Sequence, residues 1–119
     1  MSLSGSGGSV TASRPDYTIA ITNAEPANDN LTVNTSGGDD IVSASALANS
    51  SVDLTLNGGG DNDILVGSQG NDTINGDDGN DLMFGGPGDD TFTGGTGTDT
   101  ANGEAGNDVN GGGLETFNQ

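Results

Sequence analysis

Apolar residues recur at every ninth position through the second half of the chain. Residues 58–111 divide without a gap into six units of nine residues, and the eighth place is apolar in all but the last unit. The eighth-place residues are Leu65, Ile74, Met83, Phe92, Ala101 and, as the exception, Asn110. Because side chains alternate along a strand, the seventh to ninth places predict one short strand with its middle residue inward. The pattern therefore predicts stacked short strands around a thin core.

Glycine and aspartate occupy fixed places between these strands. Glycine opens every unit and stands fourth in all but the first, where Asp61 replaces it. Glycines at the first, second and fourth places allow positive φ, which turns the carbonyl oxygens to one side. The sixth place is aspartate in every unit: Asp63, Asp72, Asp81, Asp90, Asp99 and Asp108. Each turn is thus predicted to form a cup of oxygens that includes one carboxylate.

Cups of this kind suit Ca²⁺, which takes six or more hard oxygen ligands. Soft or nitrogen-preferring metals would need the Cys and His that this chain lacks. One cup supplies too few ligands, so each ion is expected between cups eighteen residues apart. The predicted pairs are Asp63 with Asp81, Asp81 with Asp99, Asp72 with Asp90, and Asp90 with Asp108. The predicted glycine ligands are Gly58, Gly60, Gly67, Gly70, Gly76, Gly79, Gly85, Gly88, Gly94, Gly97, Gly103 and Gly106.

The unit resembles the nonapeptide G-G-x-G-x-D-x-U-x of the RTX family, the hemolysin-type calcium-binding repeat. Its departures include Ser68, Asp77 and Glu104, which replace second glycines. The resemblance implies an all-β fold, a right-handed parallel β-roll (a β-helix solenoid) with calcium ions bound between stacked glycine-rich turns. Two units would form one coil, so that odd and even turns stack on opposite edges. The alternative is a solenoid of Gly-Asp turns that binds no ion, but its stacked carboxylates would repel one another.

The composition favours folding that depends on a cation. The chain has 29% hydrophobic residues and a formal net charge of −17, with Arg14 as its single basic residue. Low hydrophobicity with high net charge is typical of disorder, which a cation that binds only the folded form would overcome. The same charge excludes nucleic acid as a partner, and no apolar run is long enough for membrane insertion.

Outside the repeats the chain predicts less regular structure. Residues 1–15 are Gly/Ser-rich and read as a flexible arm or an added linker, and residues 16–57 as irregular N-terminal coils of the roll. Residues 112–119 form a C-terminal tail or a small cap in which Leu114 and Phe117 cover the last coil, and a frayed tail is the alternative.

Residues 35–43 repeat the unit in a looser form, with Asp40 at the sixth place. Asp40 precedes Asp63 by one coil plus five residues, which places the two on the same edge if five residues are inserted within 43–51. We therefore expect a fifth, weaker calcium site between Asp40 and Asp63, for about four to five ions in all. Asp39 and Asp61 are expected to be solvated.

The seventh and ninth places flank each inward residue and should face outward. On the sheet of odd units these are Ile64, Val66, Leu82 and Phe84, an apolar face of the kind that marks an interaction surface. A neighbouring domain or self-association through a second copy of the chain would cover this face. The alternative is an intramolecular cover, made by the N-terminal segment or by Phe117.

These features predict a calcium-binding structural module of a secreted protein, which is extracellular, disordered without calcium, and folds on binding Ca²⁺ outside the cell. The alternative is a calcium-ordered adhesin or ice-binding surface made of third- and fifth-place residues, but Thr96 is the only threonine at the third place. An enzyme is not expected, because the chain has no His, Cys or Lys and its regular carboxylates are explained by metal ligation. No EF-hand loop with its final glutamate is present.

Overall fold

The computed structural model describes residues 2–3, 8–11, 18–21, 29–47 and 52–119, with side chains from residue 30 onward. These residues form strands and turns, and no helix that could span a bilayer is found among them. The strands are β1 (Ser2–Leu3), β2 (Gly8–Thr11), β3 (Thr18–Ile21), β4 (Asp29–Asn34), β5 (Ile41–Ser43), β6 (Val52–Gly60), β7 (Ile64–Val66), β8 (Asp72–Asp78), β9 (Leu82–Pro87), β10 (Thr91–Thr96), β11 (Thr100–Ala105), β12 (Val109–Gly112) and β13 (Thr116–Asn118).

All the strands pair in parallel, and the chain alternates between two sheets. The odd-numbered strands form a seven-stranded sheet in the order of the sequence, and the even-numbered strands form a six-stranded sheet. Each coil therefore adds one strand to each sheet, which confirms the predicted parallel β-solenoid. Repeats one, three and five contribute β7, β9 and β11, so the predicted alternation of odd and even units is also confirmed.

The coils differ in length along the roll. Within the repeats, the pairing of Ile64 with Leu82 joins residues 18 positions apart. Ile41 pairs with Ile64, an offset of 23, so the predicted insertion of five residues is confirmed. Ala44 and Leu47 are buried at the start of the inserted loop, whereas residues 48–51 lie outside the described residues.

The first strands extend the roll toward the N-terminus. Val10 of β2 pairs with Val33, and Ile19 of β3 pairs with Val42, with the same offset that separates Val33 from Leu56. Strands β1 and β2 lie within 1–15, where the sequence predicts an arm outside the fold. The difference has a physical reason, since the open end of a sheet presents unpaired backbone groups that a further strand satisfies. The other residues predicted to form the arm lie outside the described residues.

From β7 to β11 the core consists of one inward side chain per strand, whereas β6 buries Val52, Leu54 and Leu56. In the odd sheet the stacked residues are Val42, Leu65, Met83, Ala101 and Phe117, and in the even sheet they are Val33, Leu56, Ile74 and Phe92. All are buried except Phe117, which is partly buried against the core. The Phe92 and Phe117 rings lie 5.9 Å apart, between centroids, at an angle of 58°. Phe117 therefore packs on the inner side of the last coil, against Phe92.

The predicted apolar outer face is present on the odd sheet. Ile64 is paired with Leu82, and Val66 with Phe84, so the four side chains form one patch. Ile64 is 37% exposed and the others are half-buried. The prediction that Phe117 covers this face is wrong, because Phe117 is in register with the inward residue Ala101. Docking of a partner or of a second copy stays a prediction.

The core column leads to a first test. Phe92→Ala should destabilise the folded roll by about 3–5 kcal/mol, because the ring is fully buried and its removal leaves a cavity. The matched control is Thr93→Ala, one residue further along β10 with its side chain exposed, which should change stability by less than about 0.5 kcal/mol. Thermal unfolding in excess calcium measures both. Similar melting temperatures for the two variants would contradict the inward column.

Candidate metal centre

The sixth-place aspartates stack in two ladders, one along each edge of the roll. One ladder contains Asp40, Asp63, Asp81 and Asp99, and the other contains Asp72, Asp90 and Asp108. Each of these side chains is at most 5% exposed. The structure therefore brings together every pair of aspartates that the repeat spacing predicts.

A backbone hydrogen bond joins each aspartate to the next one in its ladder. The N–H of Asp63 donates to Oδ1 of Asp81 at 2.8 Å, and the N–H of Asp81 donates to Oδ1 of Asp99 at 2.8 Å. On the other edge the N–H of Asp90 donates to Oδ1 of Asp108 at 3.0 Å. The same bond joins Asp40 to Asp63 and Asp72 to Asp90. One oxygen of each accepting carboxylate is thus used to hold neighbouring turns together.

The second carboxylate oxygen is buried without a donor in most rungs. Within the described residues no hydrogen bond reaches Oδ2 of Asp63, Asp81, Asp90, Asp99 or Asp108. A buried anion without a partner is costly, so these carboxyls must take up either a proton or a cation. Lys, Arg and His are absent from the residues that the structure describes with side chains. A metal ion is therefore the partner that fits.

First-place glycines make room for these oxygens. A Cβ on Gly58 would lie less than 3.0 Å from Oδ2 of Asp63 and from the carbonyl oxygen of Gly76. The same is true at Gly76, where the two oxygens belong to Asp81 and Gly94. Carboxylate and carbonyl oxygens from successive turns thus converge, and hard oxygens of these kinds are what Ca²⁺ binds. The described residues contain no cluster of three His, Cys, Asp or Glu side chains that could hold a metal, so carbonyl oxygens or waters must complete any coordination shell.

The expectation of positive φ holds at the second-place glycines and at four of the five fourth-place glycines, the exception being Gly70. Left-handed φ occurs at the second-place Gly59, Gly86 and Gly95 and at the fourth-place Gly79, Gly88, Gly97 and Gly106. First-place glycines do not have positive φ. Glycine is needed at this place because a side chain would collide with the convergent oxygens. A Cβ on the fourth-place Gly79, Gly88, Gly97 or Gly106 would meet the backbone carbonyl of the turn before it. Turns therefore stack by direct backbone contact, which a side chain would prevent.

Three residues that replace glycines keep the left-handed conformation. Asp61, Asp77 and Glu104 have φ of 72°, 74° and 72°. This conformation costs a residue with a side chain about 1–2 kcal/mol, and the stacked turns impose it nevertheless. Gly60 differs from the first-place glycines, since a Cβ there would meet only the Ser36 carbonyl at 3.8 Å, and its role as a ligand stays a prediction.

Ser68 gives the second repeat a different turn. Its N–H donates to Oδ2 of Asp72 at 2.6 Å, and its hydroxyl donates to Oδ1 at 2.9 Å. The hydroxyl oxygen also accepts the N–H of Gly70. Asp72 is the first aspartate on its edge, because Leu54 occupies the preceding register position. Ser68 therefore supplies the hydrogen bonds that a preceding turn would otherwise provide.

Thr35 distinguishes the interval between Asp40 and Asp63 from the others. Thr35 occupies the first place of the looser unit, and its buried hydroxyl donates to the carbonyl oxygen of Gly58. In the repeats, the corresponding carbonyl faces a first-place glycine. A side chain thus fills the space where the other turns expose their oxygens, which argues against the weaker fifth site predicted from the spacing.

A second ladder of hydrogen bonds, which the sequence expectations did not include, follows the exposed rim. At the fifth place, the side-chain oxygen of Asn62 accepts the N–H of Asn80, and that of Asn80 accepts the N–H of Thr98. Asn71 and Asp89 do the same on the other edge. The signal was available, since every repeat has Asn, Asp or Thr at this place.

Asp39 and Asp61 also bond to neighbouring turns. Oδ1 of Asp39 accepts the N–H of Asn62 at 2.9 Å, and Oδ2 of Asp61 accepts the N–H of Gly38 at 3.2 Å. Both side chains are exposed, as expected, but they are not merely solvated.

Burial raises the pKa of four ladder carboxyls, those of Asp63, Asp72, Asp81 and Asp90. The pKa of Asp63 and of Asp90 rises from 3.8 to about 7, chiefly because burial removes the carboxylate from water. Hydrogen bonds from the neighbouring N–H lower these pKa values, and adjacent carboxylates raise them. The pKa of Asp72 rises to about 6, again through burial, and that of Asp81 rises for the same reason. The ladder is therefore poorly suited to carry its charge without a cation.

The repeats match a known family model. Residues 57–92 and 84–113 match the RTX calcium-binding nonapeptide repeat, in four copies. Neither a curated protein nor a solved structure gives a significant match to the chain. The family match covers the same turns whose buried carboxylates lack donors.

The ladder predicts unequal roles for its members. Asp81→Ala should raise the calcium concentration at the midpoint of folding more than Asp108→Ala does. Asp81 is bonded to Asp63 and to Asp99, whereas Asp108 accepts from Asp90 at the end of its edge. Loss of one partner from a buried charged pair costs about 3–5 kcal/mol. Calcium titrations followed by circular dichroism compare the variants, and equal shifts would refute the alternating edges.

The raised pKa values also predict a pH dependence without calcium. Between about pH 7 and the unfolded value of 3.8, the folded chain binds more protons at Asp63 and Asp90 than the unfolded chain does. The calcium-free roll should therefore gain stability as the pH falls through this window.

Circular dichroism in chelator should show β-structure increasing from about pH 8 to about pH 5. At the higher pH, Asp63→Asn should favour β-structure more than Asp53→Asn does, because Asp53 is exposed and outside the turns. If the two variants behave alike, general charge repulsion and not the ladder sets the pH dependence.

Proposed function

Because residues 57–113 are RTX calcium-binding repeats, we propose that this structural calcium-binding module is disordered without calcium and folds into the roll when it binds Ca²⁺ outside the cell. The observation that carries the proposal is the row of buried Oδ2 atoms that lack donors in the described residues. A chain with a net charge of −17 bears these carboxylates on adjacent coils, so the roll is opposed by its own charge until cations bind.

The thin core makes the contribution of the ions decisive. One inward side chain per nine residues buries little apolar surface, and the free energy gained from that burial is correspondingly small. An ion that binds only the folded form adds about 2.7 kcal/mol at a hundredfold excess over its dissociation constant. The stabilisation from several such ions would exceed the total unfolding free energy of many small domains. Folding and calcium binding would therefore occur together.

We assign the ions to the intervals between repeats. The proposed carboxylate pairs are Asp63 with Asp81, Asp81 with Asp99, Asp72 with Asp90, and Asp90 with Asp108. Carbonyl oxygens of first-place glycines such as Gly76 and Gly94 are proposed to complete the ligand sets, in keeping with the space beside Gly58 and Gly76. The interval between Asp40 and Asp63 is left out, because the Thr35 hydroxyl already uses the Gly58 carbonyl.

The extracellular location is part of the same proposal. Extracellular calcium modules bind with dissociation constants of about 10⁻⁴–10⁻³ M, so they are empty at cytosolic calcium concentrations and filled outside the cell. RTX repeats occur in secreted proteins, which supports this location. The absence of His, Cys and Lys from the sequence favours a structural role over catalysis.

The alternative of an adhesin or ice-binding surface is less well supported. It requires the third- and fifth-place side chains to be available to a ligand. The fifth-place oxygens of Asn62, Asn71, Asn80 and Asp89 accept backbone hydrogen bonds from the next turn on their edge. These residues therefore have a role in stacking that needs no external ligand.

A calcium titration tests the proposal. Far-ultraviolet circular dichroism should change from coil to β-structure as Ca²⁺ is added, and chelator should reverse the change. Mg²⁺ at the same concentration should be less effective, because it demands near-ideal octahedral geometry and retains its waters. A spectrum that is already β-rich in chelator at neutral pH would overturn the coupled folding.

A further inference from the structure

The C-terminal segment 112–117 imitates a repeat turn without having its sequence. Strand β13 pairs in register with β11, with Thr116 beside Thr100 and Phe117 beside Ala101. Gly112 and Gly113 have φ of 132° and 72°, in the left-handed region that second- and fourth-place glycines of the repeats adopt. The segment therefore adds one more turn to the edge that contains Asp63, Asp81 and Asp99.

Glu115 continues the aspartate ladder. Its Oε2 accepts the N–H of Asp99 at 2.6 Å, just as Oδ1 of Asp99 accepts the N–H of Asp81. The spacing is 16 residues instead of 18. The following backbone bond is also reproduced, since the N–H of Thr116 donates to the Asp99 carbonyl at 3.1 Å and that of Thr100 to the Asp81 carbonyl at 2.9 Å.

The oxygens beside Gly94 match those in the repeats. A Cβ on Gly94 would lie less than 3.0 Å from Oδ2 of Asp99 and from the carbonyl oxygen of Gly113. The Gly113 carbonyl oxygen thus lies beside Gly94 in the same way as the Gly76 carbonyl oxygen lies beside Gly58. Asp99 is 0% exposed, and no donor among the described residues reaches its Oδ2. A buried, unpartnered carboxylate oxygen therefore faces the C-terminal turn.

We propose that Asp99, Glu115 and the Gly113 carbonyl form a further divalent-cation site, which takes Ca²⁺ between the last odd repeat and the C-terminal turn. The site rests on the proposed function of the repeats, but it lies outside the nonapeptide pattern. The longer glutamate side chain would compensate for a turn that is two residues shorter.

The charge and the solvent exposure around Glu115 determine how tightly this site would bind an ion. Asp99 and Glu115 bring two carboxylates to adjacent turns, and the side chains that the structure describes include no basic residue to neutralise them. Glu115 itself is exposed, so water has access from that side. An ion held here would keep more of its waters than one between two repeats, which makes this the weaker site.

Calcium stoichiometry of the full chain tests the proposal. Glu115→Gln keeps an oxygen that can accept the Asp99 N–H but removes the charge of the ligand. Isothermal titration calorimetry, at calcium concentrations where circular dichroism shows complete folding, should find one ion fewer per chain. The matched control is Glu104→Gln, which removes the same charge from an exposed residue and should leave the stoichiometry unchanged.

A second measurement does not require the variant to fold. The chain has three glutamates, Glu25, Glu104 and Glu115, so ¹³C-labelled glutamate gives three carboxylate signals. When Mn²⁺ replaces a small part of the calcium, the Glu115 signal should broaden at Mn²⁺ fractions that leave Glu104 sharp, because Mn²⁺ accepts the same oxygen ligands and is paramagnetic.

The outcomes separate the two proposals. A wild-type chain that binds calcium and folds, yet retains its stoichiometry in Glu115→Gln or shows a sharp Glu115 signal with Mn²⁺, would overturn the C-terminal site alone. A wild-type chain that binds no calcium would overturn the proposed function, and the C-terminal site with it.

Discussion

The structure depends on the contact between each sixth-place aspartate and the next aspartate on its edge. The backbone N–H of one residue donates to the carboxylate of the other, so the hydrogen bond that stacks two turns also buries a negative charge. Within the repeats this arrangement couples stacking to charge accumulation, because every added turn brings another buried carboxylate. The parallel sheets, the inward column and the close contact of the fourth-place glycines all require stacked turns, and stacked turns require compensation of that charge.

The ends of the ladders are closed by residues that differ from the repeat. Thr35 fills the glycine space at the start of one edge, and Ser68 donates to both oxygens of Asp72 at the start of the other. At the C-terminus Glu115 accepts the Asp99 N–H, and the Gln119 side chain donates to the Asp108 carbonyl. Each of these residues supplies an interaction at a place where the ladder has no further aspartate turn. Terminal units of a solenoid differ from the internal ones for this reason.

The repeat period predicted the middle of the fold well and the ends poorly. Leu65 and Met83 are inward and stacked because a period of nine places equivalent residues in register, and this reasoning needs only local spacing. Glu115 could not be found in that way, since its spacing of 16 departs from the period. Thr35 was overlooked because its effect depends on the Gly58 carbonyl, a contact between turns. The N-terminal strands had a detectable signal, as Val10, Val33 and Leu56 are evenly spaced.

The unequal coil lengths have a consequence for misfolding. Identical repeats can in principle slip by a whole coil, because each turn would find an equivalent neighbour and every inward residue would remain apolar. Here the offset is 23 residues for the pairs β2–β4, β3–β5, β4–β6 and β5–β7, 18 for β1–β3 and within the repeats, and 16 at the C-terminus. A slipped stack would have to fit a long coil over a short one, with the inserted loop around Ala44 and Leu47 displaced from its buried position. The irregular ends therefore select a single alignment from the many that the repeats alone would permit.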